Sequence, residues 1–208
     1  MLKLKSFKGG YDTNLSYILY DDQTKEAAVI DTAIEPSILL AFIEKQHLSL
    51  KFVVIMHSHF DHVVGYGYYR KNKIPVAASH RIRKDVDINL KDGDTLRLGN
   101  YPLDIMETPG HIYDCICIFV EDNKNNKLFT TDCLFIDGCG RCDLAGANVE
   151  EQYHSLYNKI MKLPDDTVIY PGHDYGPKPY DTLGNQKKTN RFLTAKTKEE
   201  FIEGRMRR

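Results

Sequence analysis

The run His57-Ser58-His59-Phe60-Asp61-His62 constrains this chain more than any other stretch. It directly follows residues 52–56, Phe-Val-Val-Ile-Met, an unbroken apolar run of strand length that suits a strand buried on both faces. In extended backbone, residues two apart point the same way, so His57 and His59 can share one metal ion. Asp61 and His62 fall where a helix is expected to begin and can reach a second ion nearby. A polar loop with solvated histidines is the competing reading, and it does not explain why ligand-type residues alternate at the end of a buried strand.

Three more candidate ligands each sit just beyond an expected strand. His111 follows residues 101–106 through Thr108-Pro109-Gly110, Asp132 follows 128–131, and His173 follows 167–170 through Pro171-Gly172. Side chains at strand ends can converge on one edge of a sheet. Together with the first run they make five His and two Asp. Nitrogen and hard oxygen donors suit zinc, iron or manganese. Seven ligands are too many for one tetrahedral ion and suit two divalent ions with a carboxylate between them.

The remaining pattern predicts strands at 2–7 and 14–20 around Gly9-Gly10, and another at 27–30. A helix is expected from Pro36 with Ile38, Leu39, Phe42 and Ile43 on its buried face. One further helix is expected at 62–71, and a strand at 75–78. A hairpin follows at 95–98 and 101–106, then strands at 115–120 and 128–131 across a polar turn at 121–127. Residues 150–163 read as an amphipathic helix with Tyr153, Leu156, Tyr157 and Ile160 on one side. Strand clusters interleaved with helices predict a layered α/β or α+β domain, and 208 residues match one large domain.

Composition removes several classes of function. The net charge is -1, which gives no general reason to bind nucleic acid or an anionic membrane. No apolar run exceeds six residues, whereas a membrane-spanning helix needs about 20. The start Met1-Leu2-Lys3-Leu4-Lys5 alternates like a strand and lacks the apolar stretch of a secretory signal. Five cysteines without an export signal predict free thiols in a reducing compartment, the cytoplasm. Cys139 and Cys142 form a single C-x-x-C pair, too few ligands for a structural zinc site. Cys133 should point away from its neighbour Asp132. His47, His80 and His154 are expected at the surface. Residues 183–208 carry eight basic and three acidic residues and read as a solvated helix and tail.

The full set resembles the metallo-β-lactamase fold superfamily, whose hallmarks are a His-x-His-x-Asp-His loop, a Pro-Gly-His, a bridging Asp and a final His. All stand here in that order, at His57–His62, Pro109-Gly110-His111, Asp132 and Pro171-Gly172-His173. The resemblance covers residues 1 to about 195. It implies an α/β fold, a four-layered αββα sandwich of two mixed β-sheets flanked by helices. It also implies one domain over 1–208 whose last part, 185–208, is a C-terminal helix and basic tail. By position, His57, His59 and His111 would bind a first metal, Asp61, His62 and His173 a second, and Asp132 would bridge them. Two departures are visible: Thr131 replaces the Gly that usually precedes the bridging Asp, and Ile112 replaces the Thr that usually follows the Pro-Gly-His.

Asp132-Cys133-Leu134-Phe135, Gly138-Cys139-Gly140-Arg141 and Tyr170-Pro171-Gly172-His173-Asp174-Tyr175 narrow the match. They resemble glyoxalase II (hydroxyacylglutathione hydrolase) and its relative, persulfide dioxygenase. The first, the leading expectation, implies a thioesterase with two zinc ions, a metal-bridging hydroxide and catalytic roles for Asp61 and Asp132; the dioxygenase is the alternative. The second implies one Fe(II) held by His57, His111 and Asp132. Tyr153-His154-Ser155-Leu156 and Glu199-Glu200-Phe201 look like the dioxygenase, whereas Phe60 stands where that group usually has a small residue. Arg141 and Tyr175 are the candidate substrate-binding residues. The partners expected are a small-molecule thioester or thiol conjugate and a second copy of the chain in a homodimer. A lactonase is a weaker reading. Lactamases would carry an export signal, and the diiron oxygen reductases have Glu where His59 stands. Glyoxalase II adds a helical domain after the final His, where this chain has 35 residues, so the hydrolase reading leaves the thiol site incomplete.

Overall fold

A computed structural model describes residues 1–123 and 125–207; Lys124, in the expected 121–127 turn, and Arg208, at the end of the expected basic tail, lie outside the described residues. The first half of the chain forms β1 (Leu2–Gly9), β2 (Asn14–Asp21), β3 (Glu26–Ile30), α1 (Pro36–Lys45), β4 (Ser49–Ile55), α2 (Tyr66–Lys71), β5 (Val76–Ser79) and β6 (Ile88–Leu90). The second half forms β7 (Thr95–Leu98), β8 (Tyr101–Glu107), β9 (Ile116–Val120), β10 (Lys127–Thr131), β11 (Leu134–Phe135), β12 (Gly138–Cys139), α3 (Val149–His154), β13 (Val168–Pro171), β14 (Asp181–Thr182), α4 (Leu183–Thr189) and α5 (Lys198–Met206).

The first six strands make one sheet in the order β1-β2-β3-β4-β5-β6, and a second sheet runs β14-β13-β10-β9-β8-β7. Both are mixed. β1, β2 and β3 pair antiparallel, while β3 to β6 run parallel. In the second sheet only β10 and β13 are parallel. Parallel neighbours need a crossover, supplied by α1 for β3–β4, α2 for β4–β5 and the α3 region for β10–β13, whereas β5 reaches β6 through the loop at 80–87.

Alternation along the strands explains the layers. Tyr17, Leu19, Ala28, Ile30, Phe52 and Val54 face Leu103, Ile105, Ile116, Ile118 and Phe129 of the other sheet, forming the inner core. Their neighbours Ile18, Ala27, Val29, Val53 and Ile55 point outward onto Leu39, Ile43 and Tyr69 of the first helical layer. On the far side, Cys117, Leu128 and Ile169 pack under Leu156, Ile160 and Phe201. A strand covered on both faces carries no polar alternation, which is why 52–56 is continuously apolar. The observed architecture is the αββα sandwich of two mixed sheets expected from the resemblance.

Four local expectations need correction. Ile38 is 53% exposed, because the buried stripe of α1 is Pro36, Leu39 and Ile43. The helix expected at 62–71 is a 3-10 turn at Phe60–His62 followed by α2. The helix is interrupted because Thr32 Oγ1 donates to the His62 carbonyl at 2.7 Å, and the Tyr66 amide turns to Val63. The helix at 150–163 is composite: α3, a π turn at Ser155–Lys159 and a 3-10 turn at Ile160–Lys162. The segment after 183 is no solvated tail. α5 docks on the body through buried Phe201, which meets Tyr153, Tyr157 and Phe192.

At one edge the two sheets are tied together. The Leu15 amide donates to the Gly172 carbonyl at 2.7 Å, and the Ile116 amide donates to the Met56 carbonyl at 2.9 Å. The loops after β3, β4, β8, β10 and β13 all open at this edge.

Candidate metal centre

All seven side chains singled out in the sequence meet at that edge. His57, His62, His111, Asp132 and His173 are buried, and His59 and Asp61 are partly so. His59 Nδ1 lies 3.2 Å from His57 Nε2 and 2.9 Å from His111 Nε2, so these three form one set. His62 Nε2 and His173 Nε2 are 3.0 Å apart, and each is 3.4 Å from Asp61 Oδ2, forming a second. Asp132 stands between them. Its Oδ2 is 3.4 Å from His111 Nε2, while its Oδ1 is 3.3 Å from His62 Nε2 and 3.4 Å from His173 Nε2. Nitrogens bound to one ion at about 2.1 Å are about 3.0 Å apart at a right angle and about 3.4 Å apart at the tetrahedral angle. The spacings fall in that range. Asp132 Oδ1 is also buried with no hydrogen-bond partner, which a carboxylate in a dry site tolerates only with a cation at hand. The donor set therefore fits metal.

In four of the five rings Nδ1 is directed away from the centre. His57 Nδ1 is 3.1 Å from Thr131 Oγ1, His111 Nδ1 2.8 Å from the Arg141 carbonyl, His62 Nδ1 2.8 Å from Asp31 Oδ1, and His173 Nδ1 2.6 Å from the Asp12 carbonyl. A histidine whose Nδ1–H is engaged presents Nε2 as a lone pair. Asn14 Nδ2 donates to Asp61 Oδ2 at 2.9 Å. Gln152, fully buried, accepts from the His111 amide at 2.7 Å and donates to the Cys133 carbonyl at 2.6 Å, clamping two ligand loops together.

The two sets differ electrostatically. Burial, then the neighbouring imidazoles, push His57 well below the ordinary histidine range; burial also lowers His59 and His111. Burial opposes a charge on His62 as well, but Asp31 and Asp132 outweigh it and raise that ring well above the ordinary range. His173 is desolvated, but carboxylate oxygens of Asp132 and Asp61 stand 3.4 Å from its Nε2 and raise it to about 10. Asp61 and Asp132 resist the upward push of burial. Hydrogen bonds from His173 and His62 lower Asp61, and the charge of His62 lowers Asp132.

Arg141 and Tyr175 both line a cavity of about 420 Å³ that reaches His111 and Asp132. The Arg141 guanidinium is engaged by Asp143, at 2.6 and 2.7 Å, and it is the Arg141 backbone carbonyl that touches a ligand ring. Tyr175 stacks on His173 with ring centroids 4.6 Å apart and donates to Asp12 at 2.7 Å. All five cysteines are free and buried; burial pushes the Cys142 thiol up to about 11. Cys133 packs into the outer core, away from the centre. His47, His80 and His154 are exposed.

A His and Asp cluster at the open edge of an αββα sandwich defines a metal-binding enzyme of the metallo-β-lactamase superfamily, and the chain belongs to that superfamily. The family model described as the metallo-beta-lactamase superfamily matches residues 10–86. Among curated relatives, the mitochondrial persulfide dioxygenase ETHE1 of Homo sapiens is 34% identical over 192 residues, spanning 90% of this chain and 74% of that protein. A probable hydroxyacylglutathione hydrolase, glo2, of Schizosaccharomyces pombe is 31% identical over 174 residues, spanning 80% of this chain and 66% of that protein. The crystal structure of ETHE1 from Myxococcus xanthus superposes with a TM-score of 0.89 at 28% identity, covering 97% of this chain and 88% of that one. Among the described residues no helix is long and apolar enough to cross a membrane.

Proposed function

We propose that this chain is an iron-dependent dioxygenase acting on a thiol persulfide, reversing the order in which the sequence motifs ranked the two chemistries. The observation that carries this reading is the extent of similarity to ETHE1: 90% of this chain and 74% of the human protein. The motifs at 153–156 and 199–201 point the same way. His57, His111 and Asp132 would hold one Fe(II), two nitrogens and one carboxylate, leaving positions open for two further groups. Bound there, iron would supply the activation of dioxygen, with both oxygen atoms ending on the outer sulfur. The lowered pKa values of His57 and His111 keep them uncharged at neutral pH, the form that binds metal. The raised pKa values of His62 and His173 favour a proton on that pair instead, and its positive charge would offset part of the charge of Asp61 and Asp132. The cavity beside His111, with Phe135 and Tyr175 in its wall, would receive the thiol.

A second reading, a thioesterase with two zinc ions, draws support from one specific observation. Asp61, His62 and His173 converge as closely as the first set, and Asp132 divides its oxygens between the two. Two ions would supply hydroxide at neutral pH. Asp61, fixed by Asn14, would orient it.

Protein purified without oxygen or chelator separates the readings by metal content and by two assays, oxygen uptake with glutathione persulfide and thioester hydrolysis. One iron per chain and oxygen uptake are expected. Two zinc ions with thioester turnover and no oxygen uptake would overturn the dioxygenase reading.

A further inference from the structure

Thr131 occupies a position where the resemblance leads to glycine, and its backbone keeps the conformation that favours glycine, with φ at +41°. A β-branched residue is rarely found there, so its side chain is the place to look for compensation. Thr131 Oγ1 donates to Asp31 Oδ2 at 2.7 Å. Its one proton is thereby engaged, so toward His57 Nδ1, 3.1 Å away, it can only accept. Both contacts are sealed from water, since Thr131, Asp31 and His57 are all buried. Asp31 in turn accepts from His62 Nδ1 at 2.8 Å. One hydroxyl thus stands between a ring of the first ligand set and the carboxylate that orients a ring of the second.

We propose that Thr131 is a positioning residue for the metal centre. Its hydroxyl fixes the His57 proton on Nδ1, aims Nε2 at the ion, and locks that ring to the Asp31–His62 pair. A glycine gives this backbone more freedom but leaves His57 Nδ1 and Asp31 Oδ2 without their common partner. The inference concerns how the ion is held and does not rest on which reaction follows.

The test compares Thr131→Val, which keeps shape and loses the hydroxyl, with Thr131→Ser, which keeps the hydroxyl. Binding of Fe(II) without oxygen, and separately of Zn(II), is measured by competition with a chromophoric chelator. Nitrogen-15 NMR of the histidine rings reports the His57 tautomer. Thr131→Val should bind the first ion about 10- to 100-fold more weakly, the usual cost of losing an outer hydrogen-bond partner of a ligand. Its His57 signal should move from a single Nδ1–H form to a mixture, and Thr131→Ser should stay near the parent in both readouts. If Thr131→Val fails to fold, Thr131→Gly, which suits the backbone, serves as the variant without a hydroxyl and should bind as weakly. Parent-like affinity in the variant without a hydroxyl, or Thr131→Ser as weak as Thr131→Val, would overturn the proposal. Neither readout depends on turnover, so a failed oxygen assay leaves this result intact.

Discussion

Stripped of metal, the chain should lose stability as the pH rises. His62 and His173 each have Nδ1 facing an acceptor, and their Nε2 atoms face each other at 3.0 Å, a spacing at which the pair should share one further proton. Although burial opposes this charge, the carboxylates of Asp132 and Asp61, each 3.4 Å from Nε2, raise His173 to about 10. In the unfolded chain a histidine titrates near 6.5, at about 1.4 kcal/mol per pH unit of displacement. A folded pKa above the unfolded one gives stabilisation that is complete below pH about 6.5 and is lost as the pH climbs toward about 10. One proton released across that window is worth up to about 5 kcal/mol, comparable to the whole stability of many domains. The lowered carboxyls of Asp61 and Asp132 act at the other end: their contribution is present above about pH 4 and fades on acidification. The assay is urea unfolding of chelator-treated protein between pH 6 and 10, with His173→Gln as the control that removes the slope. An added ion must displace the proton, so metal affinity should rise through the same window while metal-free stability falls. Metal-free protein with level stability from pH 6.5 to 10 would refute the assigned proton.

Two other substitutions test the centre and its support. Asp132→Ala should lose metal and turnover together, as read by mass spectrometry and steady-state rates; full metal with full turnover would show that Asp132 is not a ligand, under either the one-ion or the two-ion reading. Gly110→Ala should lower stability by more than about 3 kcal/mol in denaturant unfolding, because a methyl group forces both backbone strain and overpacking there. Gly110 has φ of +148°, and its added carbon would lie 2.3 Å from Gln152 Cα. Unchanged stability would mean that Gln152 does not clamp the His111 loop.

The ligands were legible because each belongs to a local pattern: a strand end, a Pro-Gly turn, an alternating run. The residues that orient them were not. Asp31 is 31 positions from His62, Asn14 is 47 from Asp61, and Asp12 is 161 from His173. Such contacts exist only once the sheets have closed, and an Asp or Asn at a strand end looks like ordinary turn chemistry beforehand. Gln152 did leave a trace. It falls four residues before Leu156, on the apolar stripe of its helix, where a polar side chain needs a buried partner. Phe201 left a similar trace in a basic segment read as solvated. The exposure of Ile38 left none, since four apolar residues on a helix do not say which three the sheet will cover.

The two candidate chemistries differ by less than their names imply. Burial and mutual repulsion, outweighing the opposing pull of Asp132, lower the pKa values of His57, His59 and His111 and so favour their uncharged form. Three converging neutral donors beside a buried carboxylate oxygen favour a cation there under either reading. The second set differs: the raised pKa values of His62 and His173 favour a proton there, whose positive charge offsets part of the charge of Asp61 and Asp132 that a second ion would otherwise meet. An ion on the first set would engage Asp132, which would weaken its hold on a proton at the second set and make a second ion easier to admit. On this reading, the choice between one ion and two would be a competition between a proton and a cation for the same pair of nitrogens. Thr131 and Asp31 join the rings on the two sides of that competition.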